Sequence, residues 1–302
     1  MNFLLEKSSH PPLNLPPFWP DYELLGSGDR MKRERWGKHI LIRPESEAFW
    51  PRHDLNAWKE WDGWFRPSHH SATSGEWSWK KNPPPPWDIH YNTLRFSIHP
   101  TATKQVGLFP EQASNWEWCR EKIIVAQRPI KALNLFGYTG AASVAAAAAG
   151  ATVCHVDSSK AAVQWCSENA RLSEIPYGAI RFIVDDCSKF ITREQRRGNR
   201  YDAIILDPPT FGRGRSRELW RLEDHLEELL SNCLQLLTPS PLFLLLNTYS
   251  PRLSDSVLKE IFTRLLKQKE IFPPIIAPLA LRGTRDGKLL PCGITSRILW
   301  KA

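Results

Sequence analysis

Two consecutive prolines, Pro208 and Pro209, interrupt the chain just after the apolar run Tyr201-Asp202-Ala203-Ile204-Ile205-Leu206 and the acid Asp207. Neither proline has an N–H to give to a neighbouring strand, so a central strand must stop there. The run reads as a buried strand whose carboxyl end displays Asp207, backbone carbonyls and the ring of Phe211. In open parallel sheets that edge is where ligands bind. Carbonyl oxygens beside a flat aromatic ring suit a planar nitrogenous base, held by hydrogen bonds and by stacking. An Asp-Pro pair alone would mean only a turn.

A glycine turn upstream gives the motif its context. Leu133-Asn134-Leu135-Phe136-Gly137-Tyr138-Thr139-Gly140 runs from a short apolar strand into two glycines, and a small-residue helix, Ala141 to Ala149, follows. Glycine allows a tight turn and close approach of backbone to a ligand. Ala151 to Val156 is a second strand ending in Asp157, and an acid there typically holds the two ribose hydroxyls of a nucleoside. Residues 159–172 read as a helix with Ser158 as a candidate cap, and Ile180 to Val184 as a third strand ending in Asp185-Asp186. Beyond the proline-ended strand the pattern predicts a helix over 218–237, a strand over 242–246 and a helix over 254–267. Two last strands are predicted near 275–281 and 294–300, with an Asp286-Gly287 turn between them. The alternation implies an α/β fold with a parallel sheet, helices on both faces and an antiparallel edge.

From about Gln105 onward the chain resembles class I S-adenosylmethionine-dependent methyltransferases. Within them it is similar to the bacterial 23S ribosomal RNA large-subunit methyltransferase group. The residues that carry the resemblance are Gln105-Val106-Gly107-Leu108-Phe109-Pro110-Glu111-Gln112, Leu133 to Gly140, Val156-Asp157, Asp185-Asp186 and Asp207 to Phe211. It implies a Rossmann-like seven-stranded sheet with the last strand antiparallel. It also implies S-adenosylmethionine as cofactor and large-subunit ribosomal RNA as partner. Carried over residue by residue, the cofactor-binding set is Gln112, Asn134, Phe136, Gly137, Gly140, Asp157, Asp185, Asp186 and Asp207. Within it, Gly137 and Gly140 would border the methionine part, Asp157 the ribose, and Asp186 or its neighbour the adenine amino group. Asp207, Pro208 and Phe211 would form the catalytic pocket for the target base.

One departure bears on the chemistry. Attack at carbon 5 of a pyrimidine needs a cysteine nucleophile, which in the relatives that make 5-methylcytosine follows the fifth strand. Here that stretch reads Leu246-Asn247-Thr248-Tyr249-Ser250, without cysteine. The expected target is therefore a base nitrogen, which needs orientation more than covalent help. Two alternatives stand beside this reading. A nicotinamide-dependent oxidoreductase fits the twenty-residue spacing from Gly137 to Asp157, but lacks the Gly-x-Gly-x-x-Gly run. A non-catalytic RNA-binding protein could keep the same fold.

Length and composition are compatible with this. The 302 residues suffice for one full domain, expected over 105–302, and a smaller Trp- and Pro-rich, β-containing region over 1–104. Of the 14 tryptophans, all but Trp165, Trp220 and Trp300 lie at or before Trp118. Most of them are expected to fill a small core and an interface. The segment Gly26 to Gly37 reads as a basic turn before a strand over 39–44, and 94–98 as another strand. No apolar run approaches the ~18 residues of a membrane span, and Met1 to Lys7 is no secretory signal. The six cysteines and nine histidines show no metal-ligand spacing, and the cysteines read as reduced core residues of a cytoplasmic protein. The net charge of +8 favours an anionic partner. Arg213, Arg215 and Arg217, directly after Phe211, are the candidate nucleic-acid contacts, whereas Arg193, Arg196, Arg197 and Arg200 are expected near the amino end of the strand they precede.

Overall fold

The computed structural model describes residues 13–68, 71–213 and 219–301. The chain opens with β1 (Tyr22–Gly28), β2 (Met31–Trp36), β3 (His39–Pro44), β4 (Gly63–Ser68) and β5 (Ser71–Trp79), which form a five-stranded sheet in that order. A separate hairpin, β6 (Trp87–Tyr91) and β7 (Leu94–Ile98), follows. What the sequence suggested was a basic turn at Gly26 to Gly37 is the β1–β2 hairpin. Asp29 and Arg30 take φ of 49° and 58°, the left-handed pair that a tight hairpin turn requires. The charges misled because some face inward: Arg33 and Glu34 are buried, and Arg43 of β3 grips Glu34 through two hydrogen bonds of 2.8 and 2.9 Å.

The second half builds α1 (Ala113–Val125), β8 (Lys131–Leu135), α2 (Ala141–Ala148), β9 (Thr152–Asp157), α3 (Lys160–Leu172), β10 (Ile180–Val184), α4 (Cys187–Arg196) and β11 (Ala203–Leu206). After the short hairpin β12 (Phe211–Arg213) and β13 (Leu219–Arg221) come α5 (Leu222–Leu234), β14 (Phe243–Thr248), α6 (Asp255–Leu265), β15 (Ile275–Arg282) and β16 (Leu289–Leu299). The seven-stranded sheet runs β10-β9-β8-β11-β14-β16-β15. Its first five strands are parallel, and β16 lies antiparallel between β14 and β15, as expected.

Both faces of this sheet are covered. Ala203 and Ile205 point into one core with Trp116, Val144 and Ala170, whereas Ile204 and Leu206 point into the other with Phe190, Leu226 and Leu258. Burial on both sides explains why β11 reads as a continuous apolar run. The first core crosses into the amino-terminal half without a break, joining Trp19, Trp36, Ile89 and Phe96 to Trp116 and Phe243.

Several local features differ from the sequence reading. Ser159, not Ser158, caps α3, its hydroxyl accepting from the Ala162 N–H at 3.2 Å. The helix expected from residue 218 begins at Leu222, because Phe211 pairs with Arg221 across β12–β13 and Trp220 Nε1 donates to the Pro209 carbonyl at 2.8 Å. Arg193 turns back along α4 to pair with Asp185 beyond β10, so it belongs to the carboxyl edge of the sheet rather than to the amino end of β11.

Candidate functional site

The loop between β8 and α2 sits at the centre of that carboxyl edge and is held in an uncommon conformation. Phe136 and Tyr138 have φ of 56° and 50°. Left-handed backbone at non-glycine residues costs on the order of 1–3 kcal/mol each and persists where surroundings enforce it. Here the Gly137 N–H donates to Val156 O at 3.0 Å and the Tyr138 N–H to Asp157 Oδ2 at 2.8 Å. The Thr139 hydroxyl donates to Gly107 O, and Asn169 of α3 donates to Thr139 O at 2.9 Å. Glycine is required at both motif positions. A Cβ on Gly137 would lie 2.4 Å from the His155 ring, and one on Gly140, at φ +83°, would lie 1.9 Å from Cys166 Sγ.

This loop forms one wall of a cavity. Among the residues singled out from sequence, Gln112, Asn134, Phe136, Gly137, Gly140 and Asp207 all line it. Asn134 is buried and donates to Ser143 Oγ at 2.8 Å, which in turn pairs with His155 Nδ1 at 3.0 Å. Burial pushes the His155 imidazole down to about 4, so it stays neutral.

The other acids stand outside the cavity lining, at the ends of the next strands. Asp157 receives backbone N–H groups from Tyr138 and Ser159, each at 2.8 Å. Asp185 pairs with Arg193 and accepts from the Asp186 N–H at 2.9 Å. Asp186 caps α4 through the Lys189 N–H at 3.0 Å. The Asp185 N–H reaches Asp157 O at 3.0 Å, so the two acid-bearing strand ends adjoin.

Asp207 follows β11 and forms the opposite wall. The residue keeps some exposed surface, but its Oδ1 is sealed from solvent and has no hydrogen-bond partner. Burial pushes its carboxyl up to about 7, opposed by a hydrogen bond from Tyr249. Tyr249 was not singled out from sequence, nor was the buried relay beside it. Gln112 Nε2 donates to the Tyr249 hydroxyl at 2.7 Å, and Asn115 Nδ2 donates to Gln112 Oε1 at 2.8 Å and to Asn247 Oδ1 at 2.9 Å. Arg297 clamps Asn115 Oδ1 from β16, with bonds of 2.9 and 2.7 Å. The one available signal was the polar Asn247 closing the apolar strand β14.

Pro208 is buried, and Phe211 is 64% exposed, in a shallow groove with Thr210, Arg221 and Arg252 rather than in the cavity. Of Arg213 only the strand position is described, and Arg215, Arg217 and Met1 to Lys7 lie outside the described residues. The five cysteines Cys119, Cys154, Cys166, Cys187 and Cys233 are buried, Cys292 is partly so, and burial raises the thiol pKa of all six, Cys119 to about 12.

Residues 61–264 match the family described as S-adenosylmethionine-dependent methyltransferase. The chain is 31% identical over 154 residues to the ribosomal RNA large subunit methyltransferase K/L of Pseudoalteromonas atlantica, a match covering 50% of this chain and 21% of that protein. It is 26% identical over 211 residues to the ribosomal RNA large subunit methyltransferase I of Aeromonas salmonicida, covering 70% of this chain and 48% of that one. It thus spans about a fifth and about half of these two relatives. Among solved structures, a SAM-dependent methyltransferase from Agrobacterium tumefaciens superposes with a TM-score of 0.90 at 37% identity, over 96% of this chain and 94% of that one.

Proposed function

Because the chain belongs to the S-adenosylmethionine-dependent methyltransferase family, we propose that it methylates a base of large-subunit ribosomal RNA, at a nitrogen rather than at carbon 5. The family excludes the oxidoreductase alternative. The RNA assignment draws on the names of the relatives and on the net charge of +8.

The residues fit the cofactor. Gly137 and Gly140 let the loop pack tightly on His155 and Cys166 while lining the cavity, and the cavity between them and Asp207 would take the methionine end. Asp157 would hold the ribose, and Asp185 or Asp186 the adenine amino group. S-adenosylmethionine supplies a methyl group activated by a positive sulfonium.

The observation that carries the nitrogen reading is the state of Asp207. Methylating an exocyclic amino group or a ring N–H releases one proton. A sealed carboxyl with a pKa of about 7 and an unpartnered oxygen is suited to accept it at neutral pH. The Pro208 carbonyl would hold the same group from the backbone, and Phe211 would stack on the base once the RNA is bound. A carbon-5 mechanism would need a thiolate, and burial raises the pKa of all six thiols, which disfavours that form.

The test is transfer of labelled methyl to ribosomal RNA from a strain lacking the gene, followed by mass-spectrometric mapping of the nucleosides. A labelled N-methylated base is expected. Transfer to carbon 5 would refute the nitrogen assignment, and no transfer would favour the non-catalytic RNA-binding alternative.

A further inference from the structure

A second, larger cleft opens on the far side of the cavity wall. Leu108 and Phe109 line both spaces, and Gln112 of the cavity is hydrogen-bonded to Tyr249 of the cleft. The cleft lies between the amino-terminal sheet and the ends of β14 and β16.

Its lining contains two polar atoms that the fold leaves unsatisfied. Glu111 is 6% exposed and its Oε2 has no hydrogen-bond partner. Thr248 is 1% exposed and its Oγ1 likewise has none. Buried polar groups are rarely left without a partner, so two of them on residues that line one cleft point to an absent ligand. The cations differ in availability. Lys32 is neutralised by Glu45 at 3.1 Å and Arg43 by Glu34 at 2.8 Å. Lys104 donates to the Pro44 carbonyl at 3.3 Å but forms no ion pair among the described residues. Phe109, Pro110, Pro251, Pro278 and Pro291 also line the cleft and give it surfaces suited to a flat ring.

We propose that this cleft is a nucleotide subsite, in which Glu111 and Thr248 read the edge of a base bearing an exocyclic amino group and Lys104 takes its phosphate. The inference rests on the RNA reading above and adds the class of nucleotide and the residues that select it. A carboxyl oxygen accepts from an amino N–H. Uracil, whose only base N–H lies between two carbonyl oxygens, would bring those oxygens against the Glu111 carboxyl.

The experiment is calorimetric titration of the full chain, saturated with S-adenosylhomocysteine, with each of AMP, GMP, CMP and UMP. At least one amino-bearing nucleotide is expected to bind at least tenfold tighter than UMP. Glu111→Gln should weaken that nucleotide at least tenfold, with affinity for S-adenosylhomocysteine kept within twofold. If Glu111→Gln fails to fold, Thr248→Val serves instead and should weaken the same nucleotide several-fold. Equal or tighter binding of UMP, no binding of any nucleotide, or affinity unchanged in the folded variant would overturn the proposal. Glu111-dependent nucleotide binding without methyl transfer to ribosomal RNA would leave the subsite standing and overturn the ribosomal reading alone.

Discussion

The side-chain amide of Gln112 donates to the hydroxyl of Tyr249 at 2.7 Å, and that hydroxyl also bonds the carboxyl of Asp207. One oxygen thus accepts from an amide before α1 and donates to an acid after β11. The arrangement orients the Asp207 carboxyl and favours its ionised form against burial.

Tyr249→Phe should therefore act on Asp207 without emptying the cavity. Losing the hydroxyl removes the hydrogen bond that lowers the Asp207 pKa, so the alkaline-going midpoint of the pH–rate profile should move up. Leaving buried partners unpaired should destabilise the protein by about 1–3 kcal/mol. Affinity for S-adenosylhomocysteine should change little. A profile superimposable on that of the wild type would show that Tyr249 does not govern the acid.

What the sequence revealed, and what it hid, follows from the range of each interaction. The β8 glycine turn and the two prolines after β11 declare themselves through residues adjacent in the chain. The Asn115–Asn247 and Asn115–Arg297 contacts join positions 132 and 182 residues apart and leave no periodic trace. The β1–β2 hairpin was obscured for a different reason. Strand patterns are read from apolar residues facing inward, and β2 instead buries Arg33 and Glu34. Phe211 shows the limit at the site itself, since sequence identifies the aromatic but not that its ring stands 64% exposed.

Asp207 should also leave a mark on stability. Its folded pKa of about 7 exceeds its ordinary 3.8, so between those values the folded chain binds a proton that the unfolded chain has released. Stability must then fall as pH rises through this window, by up to about 1.4 kcal/mol per pH unit, and level off above it. His155 acts oppositely, since its depressed pKa costs stability as pH falls from 6.5 towards about 4. The difference between wild type and Asp207→Asn cancels the histidine. Urea denaturation at pH 5, 6, 7 and 8 should show the variant gaining on the wild type as pH rises. A constant difference would mean that the carboxyl is not held protonated.

Asp157 has two tasks to lose. Each carboxylate oxygen already takes one backbone N–H, and each keeps a second lone pair for a ribose hydroxyl. Asp157→Ala should weaken S-adenosylhomocysteine by about 1.5–3 kcal/mol, and should also lower the melting temperature by loosening the Tyr138 turn. Calorimetry giving the wild-type affinity in this variant would remove Asp157 from the cofactor site.

The arginines after Phe211 are predicted to contact phosphate. The two strands that flank that segment in the chain, β12 and β13, pair with each other, and Trp220 of β13 is bonded to Pro209 beside the proposed base pocket. Phosphate contacts release counterions, so the affinity for RNA should fall steeply with salt. Replacing Arg213, Arg215 and Arg217 together should flatten a plot of log affinity against log salt concentration by up to about 2–3 units of slope. An unaltered slope would make them ordinary surface charge.

No cysteine is expected to be essential. Cys119 lines the cofactor cavity and Cys292 the adjoining cleft, while Cys166 and Cys187 pack behind the glycine loop at Gly140 and Phe136. Burial pushes the Cys119 thiol up to about 12 and raises the Cys292 thiol well above its ordinary value, which disfavours the thiolate at both. Each of the six should be replaceable by alanine or serine with methyl transfer retained, although the fully buried Cys233 and Cys166 would tolerate alanine better than a new hydroxyl. RNA carrying a 5-fluoropyrimidine should form no covalent adduct, because adduct formation requires a thiolate to add at carbon 6 and remain trapped. A folded Cys119→Ala or Cys292→Ala variant that is inactive, together with an adduct on the wild type, would replace the nitrogen target with carbon-5 chemistry.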